Sequence, residues 1–169
     1  MEKKYVMSFY NVCMAYEKTD PPTPDNKKKK LALKIDLLEQ AIECGNAPSY
    51  FYGILAMSII NKMKEYDGED NATMIADNLK MQKMLTHALA HMDSIGLFIA
   101  SVSLCYEGRF VDGIDYINFA IKYAEKKESP YAQSTIDDFK TFRDIRIPEI
   151  RKKQMVRSSD DISNMDVDT

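Results

Sequence analysis

Between Leu97 and Ile121 the chain reads LFIASVSLCYEGRFVDGIDYINFAI, two helical apolar patterns joined through one glycine. Leu97, Ala100, Ser101 and Leu104 follow spacings of 3, 1 and 3, so they share one helix face. Gly108 comes four residues later and permits a sharp reversal, because glycine enters left-handed backbone without steric cost. Phe110, Gly113, Ile117, Ala120 and Ile121 then mark the apolar face of a second helix. Small residues let two helix backbones approach, and large ones fill the gaps beside them. The stretch therefore predicts an antiparallel helix hairpin. A lone hairpin cannot bury its apolar faces, so more chain must cover it.

Helical spacing recurs along the sequence. It covers 3–18 (Val6, Phe9, Val12, Cys13, Tyr16), 28–44 (Leu31, Ile35, Leu38, Ala41, Ile42), 48–65, 72–92 and 94–107, the last with Ser94 as N-cap. A further helix spans 110–127. Ser129-Pro130 then reads as the opening of a helix carrying Ile136, Phe139, Phe142 and Ile145, which Pro148 should kink or end. Three prolines in four residues interrupt the pattern in KTDPPTPDNKKKK, and YDGEDN reads as a loop. No segment shows period-2 alternation or an Asn-Gly hairpin signal. The expected fold class is all-α, with residues 1–150 as a single helical domain carrying a Pro-rich loop at 19–27. Residues 151–169 form a basic-then-acidic tail expected to be unstructured, since its last dozen residues hold four acids and few apolar groups.

Helix hairpins that recur suggest a repeat. The 97–121 unit resembles the tetratricopeptide repeat, whose two helices alternate large and small residues at these spacings. Looser matches pair Phe9, Val12, Cys13 and Tyr16 with Leu38, Ala41 and Ile42, and Tyr52, Leu55, Ala56 and Ile59 with Leu85, Ala88 and Leu89. The stretch QAIECGNAPSYFYGILAM, from Gln40 to Met57, also looks like the joint of Sel1-like repeats: a helix end, a Gly-Asn corner, then Pro48 before the next helix. The sequence departs from the pattern in places. The pairs Ala41-Ile42, Ala88-Leu89 and Ala120-Ile121 lie 47 and 32 residues apart, and Lys34, Leu55 and Met81 are bulky at contact positions. The resemblance implies a short right-handed stack of about three antiparallel hairpins with a C-terminal capping helix.

In such stacks the first helix of each pair lines a concave groove. The resemblance places Met7, Tyr10, Asn11 and Met14 there, then Tyr50, Gly53, Ile54 and Met57, then Ile95, Phe98, Ile99 and Val102. Some family members hold a terminal carboxylate with Lys, Asn and Arg in the groove. The corresponding Tyr10, Met14, Ile54, Ile95 and Ile99 cannot build that clamp. A groove rich in Met and aromatics suits an apolar peptide or amphipathic helix instead. The expected contact residues are Tyr10, Met14, Tyr50, Ile54, Met57, Phe98 and Val102. The same stripe at helical spacing equally describes core.

Other chemistry is sparse. There is no Gly-rich phosphate loop, GxSxG, HExxH or CxxC, and no enzyme is expected. His87 and His91 share a face but lack a third ligand, so no metal or other cofactor is expected. Asp112/Asp115 and Asp137/Asp138 read as solvated helix faces. Cys13, Cys44 and Cys105 are widely spaced and read as free thiols in a reducing compartment, which implies the cytoplasm. No apolar run reaches the roughly 20 residues that cross a bilayer. The net charge of −3 does not call for nucleic acid. Two basic groups nonetheless stand out, Lys27, Lys28, Lys29 and Lys30 beside the Pro-rich loop, and Lys152, Lys153 and Arg157 in a segment from Lys140 to Arg157 with seven basic and two acidic residues. They define the alternative of a nucleic-acid or phosphate-binding accessory, although aromatic residues for base stacking are few there. Ser158 and Ser159 precede two acids, a pattern for acid-directed phosphorylation. The leading expectation is a non-enzymatic adaptor or scaffold whose partner is another protein; the nucleic-acid or phosphate-binding accessory comes second and a self-associating subunit third.

Overall fold

A computed structural model describes residues 24–45, 47–65 and 71–165. The helix expected over 3–18, with Tyr10 and Met14, lies outside the described residues. The described chain is all-α: α1 Pro24–Glu43, α2 Ser49–Lys64, α3 Asn71–Ala90, α4 Ser94–Tyr106, α5 Phe110–Ala124, α6 Gln133–Thr141 and α7 Ile147–Met165, with a π-helical turn Phe142–Arg146 before α7. It divides into two compact units, Met1–Gly96 and Leu97–Thr169, with the boundary inside α4 rather than at a linker. No single helix among the described residues is long and apolar enough to cross a membrane.

In the first unit, helix α1 begins earlier than the proline count suggests. Pro24 stands at its first position, where the missing N–H has no intrahelical acceptor, and Asp25 complements the dipole in the first turn. The α1 end reverses through Gly45 (φ +80°), whose N–H donates to Ile42 O at 3.0 Å. On α2, Phe51, Leu55 and Ile59 are four residues apart and fully buried against Leu38 and Ala41 of α1. Burying each of the large side chains stabilises by about 1.5–3 kcal/mol. Met81 and Met84 of α3 pack on the same cluster. Two ion pairs tie the helices from outside, Lys62 to the nearly buried Asp77 at 2.8 Å, and Lys80 to Glu39.

The turn from α3 into α4 is capped by Asp93, not by Ser94. Asp93 Oδ2 accepts the N–H of Ile95 at 3.1 Å and of Gly96 at 3.2 Å, satisfying two amides that open the helix. The carboxylate is buried over Gly53 of α2. A Cβ at Gly53 would lie 2.0 Å from Asp93 Oδ2, so only glycine admits the cap.

In the second unit, α4 and α5 pack through small residues as the spacing predicts. Ser101 Oγ donates to Gly113 O across the pair at 2.6 Å, and a Cβ at Gly113 would meet Cys105 Sγ at 2.4 Å. The core holds Leu97 and Cys105 of α4, Ile117, Ala120, Ile121 and Ala124 of α5, then Ile136, Phe139, Phe142 and Ile147. The Ser129-Pro130 pair does not open a helix. Ser129 Oγ accepts the Tyr131 N–H at 3.3 Å, Ala132 is extended, and α6 starts at Gln133.

Pro148 neither ends nor breaks its helix. The π turn precedes it, and the Ile147 N–H donates back to Phe142 O, five residues away. Widening the turn one residue before the proline lets the helix absorb the missing donor. The helix then runs on to Met165 through residues whose composition suggested an unstructured tail. One reason is an anchor: Gln154 Nε2 donates to Cys105 O (3.3 Å) and Tyr106 O (3.0 Å), two carbonyls in the last turn of α4.

Candidate interaction surfaces

Tyr50, Ile54 and Met57 follow a spacing of 4 and 3 along α2 and share one face of it. All three are half-buried. Tyr50 and Ile54 pack directly on the Leu38–Phe51–Leu55 cluster, and Tyr50 meets Phe51 edge-on at 5.0 Å. Burial pushes the Tyr50 phenol above its ordinary pKa. Their apolar surface is thus already shared with the core of the first unit. Gly53, read as a groove position, faces the Asp93 carboxylate instead.

In the second unit Phe98 is engaged by its own chain. Its ring stacks on Phe139 at 5.0 Å and meets Phe142 edge-on at 5.3 Å. Val102 is half-buried one turn further on. The basic residues also divide between the units. Lys27, Lys28 and Lys29 are exposed on α1 and Lys30 is half-buried, whereas Lys152, Lys153 and Arg157 are exposed on α7.

His87 and His91 form a stack with Tyr52. The Tyr52 and His87 centroids lie 3.6 Å apart and the two histidine centroids 4.4 Å apart, all nearly parallel. His91 Nδ1 lies 3.0 Å from His87 O, a carbonyl that can only accept, so Nδ1 is the donor. Desolvation first, and the neighbouring His91 second, hold His87 below the usual histidine range. No group of three metal-ligating side chains occurs among the described residues. Burial raises the Cys105 thiol pKa, a shift that the hydrogen bond with Ser101 partly offsets. Cys105 is therefore held as a thiol, the less nucleophilic form.

The surface that the sequence reading missed is the outer face of α5. Val111 is 77% exposed, Phe119 43%, and Ile114 and Tyr116 37% each. The buried face of α5 is filled by Gly113, Ile117, Ala120, Ile121 and Ala124. At about 100° per residue, Val111 and Phe119 fall opposite them. The signal in the sequence is an excess: FVDGIDYINFAI holds more large apolar residues than one face accommodates. A smaller exposed apolar group, Met74, Ile75 and Leu79, lies on α3 in the first unit.

Compared with known protein families, curated proteins and solved structures, this chain matches none.

Proposed function

We propose that this chain is a non-enzymatic interaction module, an adaptor or scaffold of tetratricopeptide-like hairpins that holds an apolar or amphipathic helix. The observation that carries the reading is on α5, a helix of 15 residues, where Val111 and Phe119 stay exposed opposite the buried face and Ile114 and Tyr116 are partly exposed at its two edges. Single exposed apolar residues are ordinary, but several large ones on one short helix suit an interaction surface. Aromatic residues suit such a surface because they offer large area at low conformational cost. In the first unit Tyr50 and Ile54 are drawn into the core, which leaves half-buried Met57 as the groove position that a partner could still meet on α2. Free Cys44 and Cys105 fit a reducing compartment, and the reading places the protein in the cytoplasm.

The test is affinity capture from native lysate with wild type, Phe119→Glu and Met57→Glu, each checked for helicity by circular dichroism. The reading expects a protein retained by wild type and lost in Phe119→Glu, with helicity unchanged. Loss only in Met57→Glu would move the site to α2. Loss of helicity in Phe119→Glu would make that ring a core residue and remove the reading.

A further inference from the structure

We infer that the occupant of the α5 face is a second copy of the same helix, laid antiparallel across a two-fold axis beside Phe119. The inference rests on the interaction reading above and names its partner. The exposed ridge of α5 runs Val111, Asp115, Phe119, Lys122 at spacings of 4, 4 and 3, so the four side chains form one stripe. The stripe is apolar, acidic, apolar, basic in order.

Neither Asp115 nor Lys122 has a hydrogen-bond or ion-pair partner among the described residues. Their neighbours are committed elsewhere. Asp112 is paired with Arg109 at 2.7 Å, Glu125 with Lys140 at 2.6 Å, and Lys126 lies over the Tyr123 ring at 4.3 Å. Asn118 accepts from Arg143 at 3.2 Å. What remains is one acid, one base and the apolar side chains around them.

Such a stripe is complementary to itself in one direction only. A closed two-fold contact pairs residue i with j and j with i. In the antiparallel arrangement centred between Asn118 and Phe119, Asp115 meets Lys122 of the other copy and Lys122 meets its Asp115. The charges are seven residues and so about 10.5 Å apart along the axis. The two Phe119 rings then meet beside the two-fold. A parallel arrangement would set acid on acid and base on base, which is repulsive. One helix-on-helix contact lies at the small end of interface sizes, so the association is weak and concentration-dependent.

The experiment is sedimentation equilibrium of the full chain over a concentration series, with Asp115→Lys, Lys122→Asp, their equimolar mixture and Phe119→Glu, all checked by circular dichroism. Wild type is expected to move toward twice the monomer mass. Each single charge reversal breaks both symmetric pairs and is expected to weaken association by about tenfold or more. The mixture restores it, because the reversed charges then face their opposites. Phe119→Glu stays monomeric. A wild type that remains monomeric throughout, or a mixture that fails to recover, overturns the inference. In that case capture of a different protein that is lost in Phe119→Glu would leave the interaction reading standing. No such capture would remove both.

Discussion

At the end of α3 the Asp93 N–H donates to Ala88 O at 2.9 Å and the Met92 N–H to Leu89 O at 3.0 Å. At the end of α4 the Arg109 N–H donates to Leu104 O at 2.9 Å and the Gly108 N–H to Cys105 O at 3.1 Å. Both corners are the same backbone device, the paired hydrogen bonds that close a helix through one left-handed residue. Their side chains differ. The left-handed place is held by Gly108 (φ +83°) in the second corner and by Met92 (φ 54°) in the first. The next helix is entered through a buried carboxylate in the first corner, Asp93, and through an exposed Arg109–Asp112 ion pair in the second. The first corner accepts strain at Met92 and is held by a buried cap. The second has neither the strain nor the buried cap. A corner's geometry therefore does not reveal where its stability lies.

That difference predicts a graded set of effects, each read as a change in the unfolding free energy. Gly53→Ala drives a methyl into the Asp93 carboxylate and should cost about 3 kcal/mol, since core overpacking typically costs 1–3 and the cap is lost as well. Asp93→Ala leaves the Ile95 and Gly96 amides without their acceptor and should cost about 2 kcal/mol. In the double variant the two losses should fall well short of their sum, because the alanine at position 53 no longer meets a carboxylate. Full additivity would mean that Gly53 and Asp93 act independently, against the geometry.

Smaller effects follow. Met92→Gly should stabilise by about 1 kcal/mol, because a left-handed non-glycine residue carries roughly 1–2 kcal/mol of strain. No gain in the melting temperature would show that the strain at Met92 is absent or repaid by its side chain. Arg109→Ala should change stability by less than about 0.5 kcal/mol, because both partners are exposed to solvent. A larger loss would place the second corner's stability in the ion pair.

The first corner also carries a titrating group near it, His87, which faces Tyr52 of α2 and His91 in the turn just past its own helix. Its folded pKa is lowered, so between the two values the unfolded chain binds more protons and stability rises with pH. The contribution is complete above the unfolded histidine value of about 6.5. It is lost as pH falls below that through the folded value. Denaturation midpoints across this window should slope for wild type and flatten for His87→Gln. Identical slopes would remove His87 from the pH response.

The second corner was the more legible of the two in the sequence, because its chemistry is written in glycines. Gly108 and Gly113 mark the reversal and the close approach directly. Nothing in LAHMDSIG marks Met92 as left-handed, and Ser94 is the more obvious cap until the helix start is placed one residue earlier relative to it. Pro24 counts among the prolines that interrupt the helical pattern, yet a proline at a first helical position starts a helix. Pro148 is tolerated through a π turn that leaves no trace in the spacing. The surface was least legible. Helical spacing puts Tyr50 and Ile54 on one face but does not say whether that face meets core or partner, and here it meets Leu38 and Phe51. The α5 face is set by which side of the helix α4 and α6 cover, a fact of packing rather than of local pattern.

The most direct measurement of whether the α5 face is covered is hydroxyl-radical footprinting of the tagged full chain, in native lysate and at high dilution after purification, read by mass spectrometry. Tyr116 and Phe119 are expected to be oxidised at high dilution and protected in lysate, while Leu79 of α3 reacts equally in both. Equal reactivity of Phe119 in the two conditions, or protection confined to Leu79 and its neighbours, would contradict a covered α5 face.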